Sequence, residues 1–191
     1  MIGRIPLARV TILIELFVFT GFIVGFNFLQ RLRGKKRLGE FPIRLPLFVA
    51  GKLSMGISWG FLFVQAAGMQ LTLFPTPVAL EYISAVLLLL GIAFVISAFL
   101  HLGSDSRFGV SDDSDGLRTT GIYRVSRNPM YLGFYLVTLA SLVSVPHPVN
   151  IGCGLVGIYI HHRIVLAEER FLLKEHGASY KAYRRRVRRY L

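Results

Sequence analysis

Charge is scarce in this chain, and acidic charge most of all. Of 191 residues, 17% are Asp, Glu, Lys or Arg and 53% are hydrophobic. A soluble domain carries about 25% charged residues, so the composition points to a membrane protein. Cysteine is almost absent. The single one, Cys153, lies inside an apolar block, which excludes an intrachain disulfide and a cysteine-based metal site. It reads as a small buried hydrophobe, and no metal site is expected. Nothing in the chain resembles a linker and no repeat stands out, so residues 1–191 read as one membrane domain.

Acidic residues number 10 against 22 basic ones, for a net charge of +12. A nucleic-acid partner would call for a basic stripe on one face. Here the basic residues lie between and after the apolar blocks, where topology and anionic lipid headgroups explain them better.

Five blocks are candidates to cross a bilayer, which takes about 20 apolar residues per helix. They are 10–29, 45–71, 78–102 and a shorter pair, 130–145 and 149–165. The first is too long for a removable signal peptide and lacks a small-residue cleavage site. The last two flank Pro146-His147-Pro148-Val149-Asn150, a turn-forming cluster, and read as a helical hairpin. Lysine and arginine then set the orientation. Segment 31–44 carries six, 103–128 carries four and the tail from Arg163 carries nine, whereas 72–77 and 146–150 carry none. The expected fold is all-α and polytopic, with five transmembrane helices, the N-terminus outside and a cytoplasmic C-terminal amphipathic helix. Residues 1–100 supply three of the spans. Residues 101–191 supply a cofactor-binding loop, the hairpin and the tail. Glu15 and Lys52 fall within spans, where a charge is costly, although Lys52 can snorkel.

The most informative stretch begins at His101. Leu102-Gly103-Ser104-Asp105-Ser106-Arg107-Phe108-Gly109 leads into Asp112, Asp113 and Asp115, then Gly121-Ile122-Tyr123-Arg124-Val125-Ser126-Arg127-Asn128-Pro129-Met130-Tyr131-Leu132-Gly133. Pro129 suits the first position of a helix and Asn128 its N-cap. A helix N-terminus beside Arg127 would receive an anion. Pro129 lies 17 residues before Pro146, and Glu168 lies 18 residues after Asn150. Both hairpin arms are therefore about 26 Å long. The antiparallel pairing should bring Arg127, Asn128 and Tyr131 to the depth of Arg163, Glu168 and Glu169. Such a cluster matches the groups of S-adenosylmethionine: arginine or a helix start for its carboxylate, glutamate for its ammonium. Tyrosines such as Tyr123 and Tyr131 could face its sulfonium or stack on adenine. His101, His161 and His162 lie near the same face and are candidate bases.

These residues resemble the isoprenylcysteine carboxyl methyltransferase family in its shorter prokaryotic form, which is related to the phospholipid N-methyltransferases. Its Arg-His-Pro-x-Tyr-x-Gly motif is matched by Arg127-Asn128-Pro129-Met130-Tyr131-Leu132-Gly133. Its paired glutamates are matched by Glu168-Glu169, and its ending by Gly177, Tyr180, Tyr183 and Val187-Arg188-Arg189-Tyr190-Leu191. The resemblance covers about residues 101–191 and implies a helical membrane fold whose last helices and tail enclose S-adenosylmethionine. Tyr123, Arg127, Asn128, Pro129, Tyr131, Gly133, Glu168 and Glu169 become its expected contacts. Arg163, holding an anionic acceptor or the cofactor carboxylate, and Tyr131 become the candidate catalytic residues. The family histidine is Asn128 here, which cannot titrate near neutrality.

The activity expected is methyl transfer to a lipophilic acceptor entering from the bilayer, with the site facing the cytoplasm. A carboxylate acceptor is favoured because it is already ionised, whereas an amine or thiol must lose a proton. Tyr180, Tyr183, Val187 and Tyr190 form one helical stripe among basic residues, suited to an anionic membrane surface or to a lid over the cofactor. Two other functions fit the architecture: a reductase of the sterol reductase type using NADPH, and a non-enzymatic scaffold or channel. Paired glutamates disfavour the first, whose 2'-phosphate would prefer arginines. The second leaves 127–133 and Glu168-Glu169 unexplained.

Overall fold

A computed structural model describes residues 6–32, 43–74, 76–102 and 117–191 of the chain. Its elements follow from where proline falls. The apolar runs contain none in their interiors, and Pro46, Pro129 and Pro148 each stand in the first turn of a helix, where the missing N–H costs nothing. Among the described residues five α-helices result: α1 (Leu7–Leu32), α2 (Leu45–Ala66), α3 (Val78–Leu102), α4 (Pro129–Ser144) and α5 (Pro148–Arg186). A 3-10 turn, Gly121–Arg124, precedes α4. There are no strands among the described residues. The expected segment from Gly103 to Gly109, with Asp112, Asp113 and Asp115, lies outside them.

Four of these helices, α1, α2, α3 and α5, are long and apolar enough to cross a membrane. With 16 residues, α4 spans only about 24 Å, and it is packed inside the bundle against α2, α3 and α5. Its closest neighbour is α3, and two glycines permit that approach. A Cβ on Gly133 would stand 2.6 Å from the Gly91 carbonyl oxygen, and one on Gly91 would stand 2.8 Å from that of Gly133. Small residues at a helix crossing let backbones meet in this way. Gly133→Ala should therefore force α3 and α4 apart and destabilise the protein by about 1–3 kcal/mol, visible as a lower Tm in detergent.

The hairpin forms as the sequence leads one to expect, but its second arm does not stop near residue 165. Helix α5 runs on to Arg186, 39 residues in all, with a non-helical kink at Gly177, where φ is 46° and ψ is −112°. A positive φ with that ψ suits glycine and few other residues. The kink sets off a second helical segment, 178–186, and gives it its direction. Tyr180 and Tyr183 are buried, so these two members of the tyrosine stripe face protein. Beyond Arg186 the chain leaves the helix, and residues 188–190 lie against the start of α4 and the middle of α5.

Candidate active site

The start of α4, the middle of α5 and the C-terminal residues meet through one carboxylate. Asn128 occupies the N-cap position, and its carbonyl oxygen accepts from the Leu132 N–H at 3.0 Å. Its side chain does not cap the helix, contrary to expectation. The Asn128 amide donates instead to Glu169 Oε1 at 3.0 Å and to the Arg189 carbonyl at 3.2 Å. Buried carboxylates require donors, and Glu169 collects them. Arg127 reaches Glu169 Oε1 at 3.0 Å, while Arg189 grips Oε2 through Nε at 3.1 Å and Nη2 at 2.9 Å. Those bonds hold the Arg189 guanidinium still more firmly protonated.

Glu168 is placed differently. It is half-buried, and among the described residues its hydrogen bond is from the Tyr131 hydroxyl to Oε1 at 2.6 Å. Tyr123, on the 3-10 turn, lies close by. Burial pushes its phenol upward, and Tyr183 and Glu168 push it further. The Tyr183 hydroxyl donates to the Tyr123 carbonyl at 2.6 Å, which ties this turn to the end of α5. So one glutamate is saturated by protein donors and the other presents a carboxylate among tyrosines.

The C-terminal residues complete the arrangement. The Arg127 N–H donates to the Arg188 carbonyl at 3.0 Å, and the Ser126 hydroxyl to that of Arg189 at 3.1 Å. Tyr190 then reaches His162 Nδ1 at 2.7 Å and the Tyr135 hydroxyl at 3.3 Å. The residue pattern of the tail gave a helical stripe and hid this strap. The positive-φ requirement at Gly177 was the available signal.

Of the residues singled out from sequence, the structure gathers Tyr123, Arg127, Asn128, Tyr131, Glu168 and Glu169, with Pro129 opening the helix. Two fall elsewhere. Arg163 is exposed and donates to the Tyr159 hydroxyl at 3.1 Å, one turn back along α5. Gly133 faces α3 and serves helix packing. The histidines also separate: His162 is held by Tyr190, His101 bonds the Ser97 carbonyl, and His161 is fully buried in the bundle.

A cavity of about 360 Å³ adjoins this cluster, bounded by residues of α1, α2, α4 and α5. Its walls are apolar apart from Lys52 and His161, and Phe134 and Trp59 line it from α4 and α2. The His161 ring stands 6.2 Å from that of Tyr131, so the cavity ends beside the glutamate–tyrosine pair.

Residues 80–179, just over half of the chain, match the phospholipid methyltransferase family model. A relative in Dictyostelium discoideum, protein-S-isoprenylcysteine O-methyltransferase, is 30% identical over 92 residues, which are 48% of this chain and 37% of that protein. The chain thus aligns with well under half of the relative's length, and no solved structure matches it. The family match runs from α3 through the α4 start and the paired glutamates, and by it this chain belongs to the phospholipid methyltransferase family.

Proposed function

We propose that this multi-pass membrane protein transfers a methyl group from S-adenosylmethionine to a lipophilic acceptor, with a carboxylate favoured over an amine or thiol. The observation that carries the proposal is the pairing of Tyr131 and Asn128 at one helix start with Glu168 and Glu169 on the next helix. The donor set suits the cofactor. Glu168, half-buried with one oxygen bonded to Tyr131, is the carboxylate to meet its ammonium. Arg127 and the α4 N-terminus suit its carboxylate. Tyr123 and Tyr131 supply ring faces for a sulfonium or adenine. Glu169 has another task, because Arg127, Asn128 and Arg189 already occupy it: it holds those groups in place. When bound, S-adenosylmethionine supplies an electrophilic methyl group on sulfur. The protein then contributes mainly orientation, which can account for a large part of a rate enhancement.

A carboxylate acceptor is ionised at neutral pH and asks for no base. That agrees with a site whose two glutamates are hydrogen-bonded, and with the O-methyltransferase activity in the name of the aligned relative. The orientation proposed is five spans with the N-terminus outside, so that the α4 start, the glutamates and the basic tail face the cytoplasm and its anionic lipids. Arg163, exposed and bonded to Tyr159, has no part in this scheme.

Calorimetry with S-adenosylhomocysteine on detergent-solubilised protein tests the cofactor. Binding is expected, and Glu168→Ala should weaken it about tenfold to a hundredfold, the range for loss of a charged hydrogen bond. A folded protein that ignores S-adenosylhomocysteine would end the methyltransferase reading. If NADPH bound in its place, the reductase would take over.

A further inference from the structure

Lys52 presents a cation inside an apolar cavity, at a depth where charge is costly. Snorkelling alone would carry its ammonium out to the interface. Instead Lys52 lines the cavity, and its Nζ lies 5.4 Å from the ring centre of Phe48 and 5.6 Å from that of Phe134. Both rings belong to the same cavity wall, and Glu168 is near enough to act on Lys52 electrostatically. The cation therefore stands at the junction between the cavity and the glutamate–tyrosine pair.

His161 marks the same end. It is fully buried, and because a carbonyl can only accept, its Nδ1 must be the protonated nitrogen facing the Gly157 oxygen at 2.8 Å. Nε2 has no hydrogen-bond partner among the described residues. The rest of the lining, Met55, Trp59 and Phe134 among it, is hydrocarbon and aromatic ring. Cavities of about 300–1,000 Å³ take a single small amphiphile.

The geometry points to Lys52 as the residue that selects and positions the methyl acceptor, pairing with the carboxylate of a single-chain amphiphile whose tail fills the cavity between α1, α2, α4 and α5. This rests on the methyltransferase reading and adds a specificity determinant to it. The chemistry gives the pairing a second consequence. Transfer to a carboxylate oxygen forms one O–C bond as the donor's S–C bond breaks with its electron pair on sulfur. No proton moves, and the ester carries no charge. Lys52 thus attracts the substrate and has no charge to hold in the product, which is left to return to the bilayer. An amine acceptor, cationic before methylation, would meet repulsion from the same group.

Trp59 is the only tryptophan in the chain, it lines the cavity, and Thr138 fixes its indole at 3.0 Å. It lies two helical turns from Lys52, about 10 Å along α2, within reach of the far end of a medium-length chain held at Lys52. Quenching of Trp59 by ω-bromoundecanoate, its methyl ester and ω-bromoundecylamine, at neutral pH and corrected for micelle partition, reads occupancy without catalysis. The acid should bind about tenfold or more tighter than the ester. Lys52→Met should abolish that ratio, and Lys52→Arg should keep most of it. Equal affinity of acid and ester in the unaltered protein would overturn the proposal, as would an unchanged ratio in Lys52→Met. Tighter binding of the amine would overturn it too, and would make His161 Nε2 a proton acceptor for an amine substrate. The wild-type comparison of ligands needs no variant to fold. S-adenosylhomocysteine binding without an acid preference would remove the Lys52 assignment alone. Its absence from folded protein would remove the methyltransferase reading whatever Trp59 reports.

Discussion

Glu169→Ala should cost this protein about 3–5 kcal/mol of stability, the range for stranding a buried partner, and should abolish measurable S-adenosylhomocysteine binding. For a domain of this size each kcal/mol moves Tm by about 2–4 °C, so the fall should exceed roughly 6 °C in detergent. The reason is what the carboxylate leaves behind. The Arg127 side chain is only 7% exposed and would lose its ion pair, and its Nε already has no hydrogen-bond partner among the described residues. The buried Asn128 amide would keep only the Arg189 carbonyl. Arg189, at 33% exposure, would lose less because water can replace part of its contact. Glu168→Ala makes the contrast. Among the described residues its hydrogen bond is to a neutral phenol, with Lys52 near enough to feel its charge, so its removal should weaken cofactor binding while lowering Tm less than the loss of Glu169 and its three partners does. Thermal unfolding and calorimetry on the two variants separate a scaffold role from a ligand role. If both variants lost binding with Tm unchanged, Glu169 would be a cofactor contact and its three protein partners incidental.

The helices and their convergence were legible because they rest on long-range arithmetic that survives small boundary errors. Apolar length, proline position and equal hairpin arms brought Asn128 and Tyr131 to Glu168 and Glu169. What that arithmetic omitted was rotation about the helix axis. Successive residues turn by about 100°, so Arg163 points about 140° away from Glu168 and about 120° away from Glu169. It shares a face with exposed Tyr159, to which it is bonded. His161, seven residues before Glu168, returns to within about 20° of it, and it is His161 that lines the cavity. The same correction applies to Gly133. Two residues from Tyr131, it faces the opposite side of α4 and packs against Gly91. A contiguous motif can therefore serve a ligand with one face and a neighbouring helix with the other. Depth alone assigned Lys52 to snorkelling, and the aromatic walls that surround it could not be read from one span.

Removing residues 187–191 should be worse than changing the most conspicuous side chain among them. Arg189→Ala deletes a partly exposed ion pair and should cost about 1 kcal/mol. It leaves the backbone in place, and that backbone accepts three hydrogen bonds: from the Arg127 N–H, the Ser126 hydroxyl and the Asn128 amide. Net contributions of about 0.5–1.5 kcal/mol apiece, added to the ion pair and the Tyr190 contacts with His162 and Tyr135, put the loss on removal at about 3–6 kcal/mol. Hydrogen exchange distinguishes the two cases at a single amide. The Arg127 N–H is protected by the Arg188 carbonyl, so it should exchange much faster in the shortened protein and nearly normally in Arg189→Ala. The cofactor should follow the amide, because the strap holds in register the turn that carries Arg127 and Asn128 toward the glutamates. Should Arg189→Ala release that amide as fully as removal does, the guanidinium on Glu169 would be what anchors the strap, and the backbone bonds would be its consequence.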